Sequence, residues 1–401
     1  MSLLPKELAE VLTEPRPVSL AGVLLFDIRY RQRNPREGRG LAREGVQDES
    51  VVEEYAEALL LAHRTLSATA YGWPALSRLP VRVYVAATNV CGSAYRAAGG
   101  ASAHLLLSNM GYEPSRVAAR RRRRATAAHE LTHLFQFELV CGGNWHWLNE
   151  ASATAIERVV FPGSFDHFRF LPPWVAWPEE TITDFPGYRS CQFIYYLIAA
   201  VARNVVSEAY RIGRDGPDLQ PIEALARAVE TLAPVRFAAA TGPDVFGSGY
   251  CIDAYFLADP NSVLYNVNLH RRFGDRYVSE SFASYPVAGA AAGDPIEHLG
   301  CRYYRFYPPD GADALIVTVN LPDGPARTCL RGTLIAASPD GRAGGRVTLQ
   351  RSRGERSMSG RMDAFAKGAL DHALLVVANC AWQAGYDEAD QLTYSISADV
   401  E

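Results

Sequence analysis

Two histidines and a glutamate in the middle of the chain, His129, Glu130 and His133, form the pattern His-Glu-Leu-Thr-His. Residues four apart in an α-helix are rotated by only about 40° and lie about 6 Å apart, so both histidines project from one face. Two neutral imidazoles placed in this way can bind one Zn²⁺ ion. Glu130 lies about 100° round the helix, where its carboxylate can take a proton from a water that the ion acidifies. The pattern therefore predicts metal-assisted hydrolysis.

A catalytic zinc site needs a third protein ligand, and the sequence offers two candidates. The spacing HExxHxxGxxH is excluded because Gln136 and Leu139 occupy the positions of its glycine and third histidine. Glu150 lies 17 residues after His133, in a second predicted helix that can fold back and face both histidines. His146, between two tryptophans, is the alternative ligand. The residues alone leave both open, with helical placement favouring the glutamate.

The segment Trp147–Glu157, WLNEASATAIE, resembles the second ligand helix of gluzincins, the thermolysin- and aminopeptidase-like zinc peptidases with two histidines and one glutamate. The stretch from 125 to about 200 is similar to a group of bacterial metalloproteases with an HExxH helix, a W-x-x-E-A-x-A helix and a later GY…F…YL segment, present here as Gly187–Leu197. The resemblance implies a zincin-like fold and hydrolysis of peptide bonds. It implies zinc ligands His129, His133 and Glu150, with Glu130 as general base.

The chain departs from the thermolysin pattern four residues after the glutamate ligand. Thr154 stands at the position where that family has an aspartate that orients a histidine. The orienting group must then come from elsewhere, and Glu157, on the same helix face as Glu150, is the candidate. The alternative is that Glu157 is a solvated surface carboxylate.

An acyl-transfer site also needs a group that stabilises the oxyanion. Gluzincins use a tyrosine or histidine from a later segment, and Tyr188, at the start of a predicted helix, is the preferred candidate. The resemblance also implies that an edge strand before the HExxH helix pairs with the substrate backbone. Ala103–Ser108 occupies that place, and an internal strand fits it equally well. The other oxyanion candidates are Tyr195, Tyr196, Tyr210, Tyr250 and His270.

Five consecutive arginines, Arg120–Arg124, precede the histidines on the same predicted helix. Lysine and arginine together number 40, and only Lys6 and Lys367 are lysines, so the run follows a preference of the whole chain. Consecutive residues point in all directions round a helix, so we expect most of these arginines to reach solvent or to pair with carboxylates such as those of Asp48–Glu54. An acidic substrate or partner is the alternative. No aromatic residues interleave with the run, which disfavours nucleic-acid binding.

Composition excludes several classes of protein. The net charge of -4 and the pI of about 6.2 are unlike those of a nucleic-acid binder. No apolar stretch approaches the ~20 residues of a transmembrane helix. The N-terminus lacks the pattern of a secretory signal, so the chain as written is expected in the cytoplasm, with export after trimming or by another route left open. Seven cysteines without a CxxC pair predict buried thiols rather than a cysteine zinc site. The oligomeric state is left open.

Hydrophobic periodicity predicts strands and helices in separate regions. Alternating residues predict strands at Val18–Tyr30 and Val81–Ala87, and helical spacing predicts helices from about 48 to 69, 115 to 140, 149 to 160, 189 to 204 and 221 to 231. From about 284, short alternating runs separated by Gly, Pro and Asp predict a β-sandwich. The predicted class is therefore α+β, with a zincin-like metallopeptidase domain at 1–283 and a β-sandwich at 284–401. In the first domain, 18–110 would contain the sheet and 114–283 the helices around the active site.

The leading hypothesis is a zinc-dependent metallopeptidase that acts on a peptide or protein substrate. The alternative is a zinc-containing binding or interaction protein without turnover. Glu130 favours the enzyme, because a structural zinc site has no use for a general base beside it.

Overall fold

The computed structural model describes residues 12, 14–31, 49–86, 88, 90–96, 103–109, 115–139, 145–163, 177–183, 187–233, 245–265, 278–291, 295–321, 329–351, 356–382 and 392–401. These residues form α-helices and three β-sheets, so the predicted α+β class is confirmed. They divide into two compact units, the first spanning Met1–Arg169 and Arg203–Leu219, the second Phe170–Ala202 and Gln220–Glu401. In the described part of the chain, no helix has the length and apolar character needed to cross a bilayer.

The strands and helices are numbered along the chain. The strands are β1 Glu14–Leu20, β2 Val23–Tyr30, β3 Val81–Ala86, β4 Gly92–Arg96, β5 Ala103–Ser108, β6 Val278–Phe282, β7 Val287–Ala291, β8 Cys301–Phe306, β9 Ala314–Asn320, β10 Leu330–Ala337, β11 Ala343–Thr348, β12 Ser357–Asp363, β13 His372–Asn379 and β14 Ser395–Val400. The helices are α1 Ser50–Leu66, α2 Arg116–Phe137, α3 His146–Val160, α4 Cys191–Ala200, α5 Val205–Asp215, α6 Pro221–Leu232 and α7 Cys251–Tyr255.

The first unit contains a five-stranded mixed sheet in the order β1-β2-β3-β5-β4. The strands β2, β3 and β5 run parallel, and β1 and β4 are antiparallel to their neighbours. The single strand predicted at Val18–Tyr30 is wrong, because the chain reverses at Ala21 and Gly22. Both residues have positive φ, 49° and 82°, as a tight two-residue hairpin turn requires.

The edge of this sheet concerns the site, because the sequence left Ala103–Ser108 open as an edge strand or an internal strand. Ala103–Ser108 is β5, and it pairs with β3 on one side and β4 on the other, so it is an internal strand. Among the described residues β4 pairs only with β5 and is therefore the edge strand on this side of the sheet, with β1 at the other edge. The strand β4 was not predicted, because its residues, GSAYR, include no alternating apolar run.

The helices α1, α2 and α3 pack against one another, and α2 also packs against β4 and β5. Ser115 caps α2, since its side chain accepts a hydrogen bond from the Ala118 backbone N–H at 3.1 Å. The helix is buried without interruption from Ala125 to Gln136, which explains why its HExxH segment is flanked by small and apolar residues.

The second unit contains two sheets, β11-β10-β13-β8-β6 and β12-β9-β14-β7. Alternate residues of β9, such as Leu315 and Val317, share one hydrophobic core with residues of the other sheet, such as Leu334 and Leu375. Strands of this region were predicted where apolar residues alternate. The polar strands β6 and β12 were missed for lack of that pattern.

Each compact unit consists of two separate segments of the chain. The helices α4 and α6 fall into the unit that contains the C-terminal strands. The boundary near residue 284 was predicted between two domains that would each fold alone, and it stays a prediction.

Candidate metal centre

Three side chains from α2 and α3 converge within the first unit. His129 Nε2 lies 3.2 Å from Glu150 Oε2, and His133 Nε2 lies 3.6 Å from Glu150 Oε1. One ligand atom from each of the three residues lies within 4.8 Å of the others, so the group could hold a metal ion. Both histidines are buried and the carboxylate of Glu150 is nearly so.

Hydrogen bonds at the far side of each ring determine which nitrogen faces the centre. His129 Nδ1 lies 2.9 Å from Glu157 Oε1, and because a carboxylate can only accept, the ring donates its Nδ1–H. His133 Nδ1 lies 2.7 Å from Gln136 Oε1. The amide nitrogen of Gln136 donates to the backbone oxygen of Asn149 at 3.0 Å, which places the amide oxygen toward His133. In the neutral tautomer that these bonds favour, each ring turns the lone pair of Nε2 toward Glu150, as a metal ligand must.

With both rings neutral, only acceptor atoms converge at this point, so either a proton on His129 or a metal cation is needed between them. Burial disfavours a charged His129, yet its hydrogen bonds with Glu150 and Glu157 raise the pKa of this ring well above the ordinary value. Burial and the neighbouring charge of His129 lower the pKa of His133 to about 4. The centre thus attracts positive charge, and the donor set of two imidazoles and a carboxylate fits a divalent cation.

Glu130 is held beside this centre by the edge strand. Its carboxylate accepts a backbone hydrogen bond from Ala94 on β4. A Cβ atom at Gly92, also on β4, would lie 2.7 Å from Glu130 Cγ and 2.9 Å from Oε1, so only glycine lets the strand come this close. Burial, opposed by the charge of His129 and assisted by the charges of Glu150 and Glu157, raises the pKa of Glu130 to about 7. A carboxylate with such a pKa is suited to exchange protons near neutral pH.

The start of α3, which carries Glu150, is anchored by α5. Tyr210 is fully buried and donates its hydroxyl to Asn149 Oδ1 at 2.6 Å. Its ring lies against that of Trp145, with centroids 4.9 Å apart. A Cβ atom at Gly213 would lie 2.0 Å from the Trp145 ring, so glycine is needed there for the indole to fit. Tyr210, one of the candidate oxyanion donors, thus has its hydroxyl committed to positioning the ligand helix.

The predicted orienting role of Glu157 has a direct structural basis, because its buried carboxylate contacts His129 rather than solvent. Thr154 Oγ1 lies 3.5 Å from the same ring nitrogen, so the position that carries an aspartate in thermolysin-like proteins faces the same histidine here. His146, the alternative ligand, has a side chain that is 75% exposed, with Nδ1 4.0 Å from Glu150 Oε1. It is not one of the three residues that converge as a metal-binding group.

The remaining oxyanion candidates lie elsewhere in the chain. Tyr188 is half-buried in a short 3-10 turn, Gly187–Ser190, in the second compact unit. Tyr195, Tyr196 and Tyr250 belong to the same unit, and His270 lies outside the described residues. The role of Tyr188 stays a prediction.

Two further residues, Gln136 and Gly92, shape the centre and were not predicted from the sequence. Gln136 was considered only as the residue that excludes the HExxHxxGxxH class, although a polar residue three positions after His133 on a buried helix is itself a signal of a partner. Gly92 had no such signal, because its need for close approach arises only when β4 lies against α2.

Arginines of the run pair with carboxylates of α1. Pairing with carboxylates is the kind of contact that the sequence predicted for them. Arg123 is buried and contacts Glu54 Oε2 through Nε at 2.8 Å and Nη2 at 2.5 Å. Arg124 Nη2 lies 3.3 Å from Glu57 Oε2, and the half-exposed Arg120 lies within 3.8 Å of both glutamates. The pairs therefore involve Glu54 at the end of the predicted acidic segment and extend one helical turn beyond it.

No protein-family model matches this sequence, and no curated protein matches it either. Among solved structures, one similar chain is described as a family GH115 4-O-methyl-α-glucuronidase with specificity for decorated arabinogalactans. It is 11% identical with a TM-score of 0.17, and the match covers 74% of this chain and 46% of that one. The chain thus spans about half the length of this structure, and the TM-score is too low to indicate a common fold.

Proposed function

We propose that this protein is a zinc-dependent metallopeptidase of the gluzincin type. The observation that carries the proposal is the convergence of His129, His133 and Glu150, whose ligand atoms lie within 4.8 Å of one another, beside the buried carboxylate of Glu130. In this assignment the three residues hold zinc and Glu130 is the general base. The resemblance of WLNEASATAIE to the gluzincin ligand helix supports the same set.

The types of donor atom favour zinc among divalent cations, and their spacing is compatible with it. Two ligands at ~2.0–2.1 Å from a tetrahedral ion lie about 3.3 Å apart. The separations of 3.2 and 3.6 Å between the histidine nitrogens and the oxygens of Glu150 are close to this value. Magnesium and calcium prefer sets composed of oxygen ligands, whereas two of the three donors here are imidazole nitrogens.

In the proposed reaction, separate residues of this chain transfer the proton, orient the ligands and stabilise the oxyanion. A zinc ion held there supplies Lewis acidity, which lowers the pKa of water and polarises a carbonyl oxygen. Glu130, held by Ala94 and packed against Gly92, takes the proton of the attacking water and then delivers it to the leaving amine. Glu157 and Gln136 hold the two imidazoles in the tautomer that leaves Nε2 free to ligate. Tyr188 is proposed, on the resemblance alone, as the oxyanion donor.

The edge position of β4 favours a peptide as the substrate. Among the described residues its second edge pairs with no strand, and an extended peptide could add there by backbone hydrogen bonds. Because Gly92 and Ala94 contact Glu130, a peptide on this strand would pass the general base. The substrate strand is thus assigned to β4 instead of β5.

The proposal extends to the fold. The sheet β1–β5 with α1–α3 would form the zincin-like part, and the two C-terminal sheets would form a β-sandwich. The core that residues such as Leu315 and Leu375 share across both sheets supports the second assignment.

The test combines metal analysis with turnover. The purified protein should bind one equivalent of zinc and hydrolyse an unstructured protein such as casein, and Glu130→Gln should retain the zinc while kcat falls by about 10²–10⁴-fold. A chelator should abolish hydrolysis and added zinc should restore it. A protein that takes up no zinc would contradict the proposal. A protein that binds zinc without any hydrolysis would instead be a zinc-containing binding protein.

A further inference from the structure

The helix that carries Glu150 begins without a capping side chain. Within the described part of the chain, Trp145 at the N-cap of α3 makes no side-chain hydrogen bond to the first turn, and no acidic residue lies in that turn. The free N–H groups at the start of a helix are commonly stabilised by such groups. Glu150 lies one helical turn after His146, the first residue of α3. Its position therefore depends on contacts that other elements make with this start.

The helix α5 makes such contacts through Tyr210. The buried hydroxyl of Tyr210 donates to Asn149 Oδ1 at 2.6 Å, and Ser152 of α3 is a second hydrogen-bonding neighbour of this hydroxyl. The Tyr210 ring packs against the indoles of Trp73 and Trp145, with centroids 5.5 and 4.9 Å apart. Because close packing restricts the ring, its hydroxyl is a fixed donor to the residue that precedes the glutamate ligand.

A chain of hydrogen bonds continues from Asn149 to the other ligand helix. The backbone oxygen of Asn149 accepts from Gln136 Nε2 at 3.0 Å, and the same nitrogen lies 2.8 Å from Ser152 Oγ. At its other end, the amide of Gln136 places Oε1 2.7 Å from His133 Nδ1. Gln136 and Ser152 have no exposed surface, so water does not replace these bonds when one is lost. The chain thus joins Tyr210 to the ring of His133.

From these contacts we propose that Tyr210 is a positioning residue of the metal centre, which raises the affinity for zinc by holding the start of α3 where Glu150 meets His133. The inference rests on the zinc site of the proposed function and deepens it by naming what sets the affinity of that site. Metal ligands must be held within about 0.5 Å of their binding geometry, so a small shift of α3 weakens binding. The support comes from Arg203–Leu219, a later segment of the unit than the one that contains both ligand helices.

The test removes one oxygen atom from the full chain. Tyr210→Phe deletes the hydroxyl and keeps the ring that packs against Trp73 and Trp145. Competition with a fluorescent chelator should show zinc binding about tenfold weaker, the lower end of the range for residues that support a metal ligand.

The matched control is Tyr55→Phe. Tyr55 is also fully buried in the first unit, and its hydroxyl donates to the backbone oxygen of Ser108 on β5 at 2.8 Å. Each variant loses one buried hydrogen bond, so both should lower the melting temperature by about 2–4 °C. Only Tyr210→Phe should weaken zinc binding, which separates positioning of the ligands from a general loss of stability.

A double-mutant cycle tests the route through Asn149. Asn149→Ala removes the acceptor of the hydroxyl, so the double variant with Tyr210→Phe should bind zinc about as weakly as Asn149→Ala by itself. The visible absorption spectrum of the cobalt-substituted protein responds to the arrangement of the ligands, and Tyr210→Phe should change it whereas Tyr55→Phe should not. Unchanged affinity and spectrum in Tyr210→Phe, equal weakening in Tyr55→Phe, or additive losses in the cycle would overturn the inference.

Zinc binding separates this inference from the proposed reaction. An affinity that depends on Tyr210 in a protein without hydrolysis would support the inference and reject the peptidase. Hydrolysis by a protein whose zinc affinity does not depend on Tyr210 would support the peptidase and reject the inference. A protein without affinity for zinc would overturn both.

Discussion

The two halves of α2 differ in how the charges of their side chains are balanced. In the first half, Arg116–Arg124, the side chains of Arg120, Arg123 and Arg124 pair with Glu54 and Glu57 of α1, and part of the half is exposed. In the second half, Ala125–Gln136, every residue is buried, and the rings of His129 and His133 both face the carboxylate of Glu150, at 3.2 and 3.6 Å. In the first half, carboxylates of the protein therefore oppose the charge of these three arginines. The second half leaves a deficit of positive charge that a cation can fill.

The largest expected effect tests the second half. Removing a ligand with His133→Ala should lower the affinity for zinc by on the order of a thousandfold, since a two-ligand site remains. The matched control, His146→Ala, should retain zinc, because this exposed ring lies 4.0 Å from Glu150 and outside the converging group. Calorimetric titration of zinc measures both. Loss of zinc in the His146 variant alone would show that the third-ligand assignment is wrong.

The next effect tests the first half. Arg123→Ala should lower the free energy of unfolding by about 3 kcal/mol, because it leaves the carboxylate of Glu54 without its closest cation in a mostly buried place. Arg120→Ala removes an arginine of the same run that is 49% exposed and only 3.7 Å from Glu54, so we expect less than about 1 kcal/mol. Urea denaturation compares the two. Equal losses would mean that burial does not distinguish these pairs.

A third prediction concerns Glu157, which contacts the ring of His129 and is not one of the three metal ligands. Glu157→Gln should weaken zinc binding about 10- to 100-fold, because the neutral amide supports the imidazole less than a carboxylate does. Glu57→Gln alters an exposed carboxylate that pairs with the arginine half and should leave zinc binding unchanged. Competition with a fluorescent chelator measures both affinities. An effect of the Glu57 variant as large as that of Glu157 would show that the two halves are not independent.

The smallest effect concerns the edge strand that faces the second half. Gly92→Ala should reduce kcat about tenfold while zinc stays bound, because the added methyl group forces the carboxylate of Glu130 to move. Gly163→Ala is the control, since a Cβ atom there meets nothing within 4 Å. Steady-state kinetics with zinc analysis distinguishes the variants. Unchanged turnover in Gly92→Ala would mean that the position of Glu130 does not depend on β4.

The parts of the fold that could be predicted are those with local patterns. Apolar spacing located α1, α2 and α6, and alternation located β3. The hairpin turn at Ala21–Gly22 was missed because apolar residues flank it on both sides and hide the reversal. The edge strand β4 was missed because a strand with few apolar residues is recognised only by the neighbour it pairs with.

The residues of the centre show the same division. By itself the sequence determined that His129 and His133 share one face of a helix and that Glu130 neighbours them, because these relations follow from helix geometry over five residues. Only the tertiary structure decided that Glu150 faces both rings, that Glu157 and Gln136 orient them, and that Gly92 admits β4 against Glu130. Those contacts join segments of the chain whose approach depends on packing of the whole first unit, and no local pattern encodes such distances.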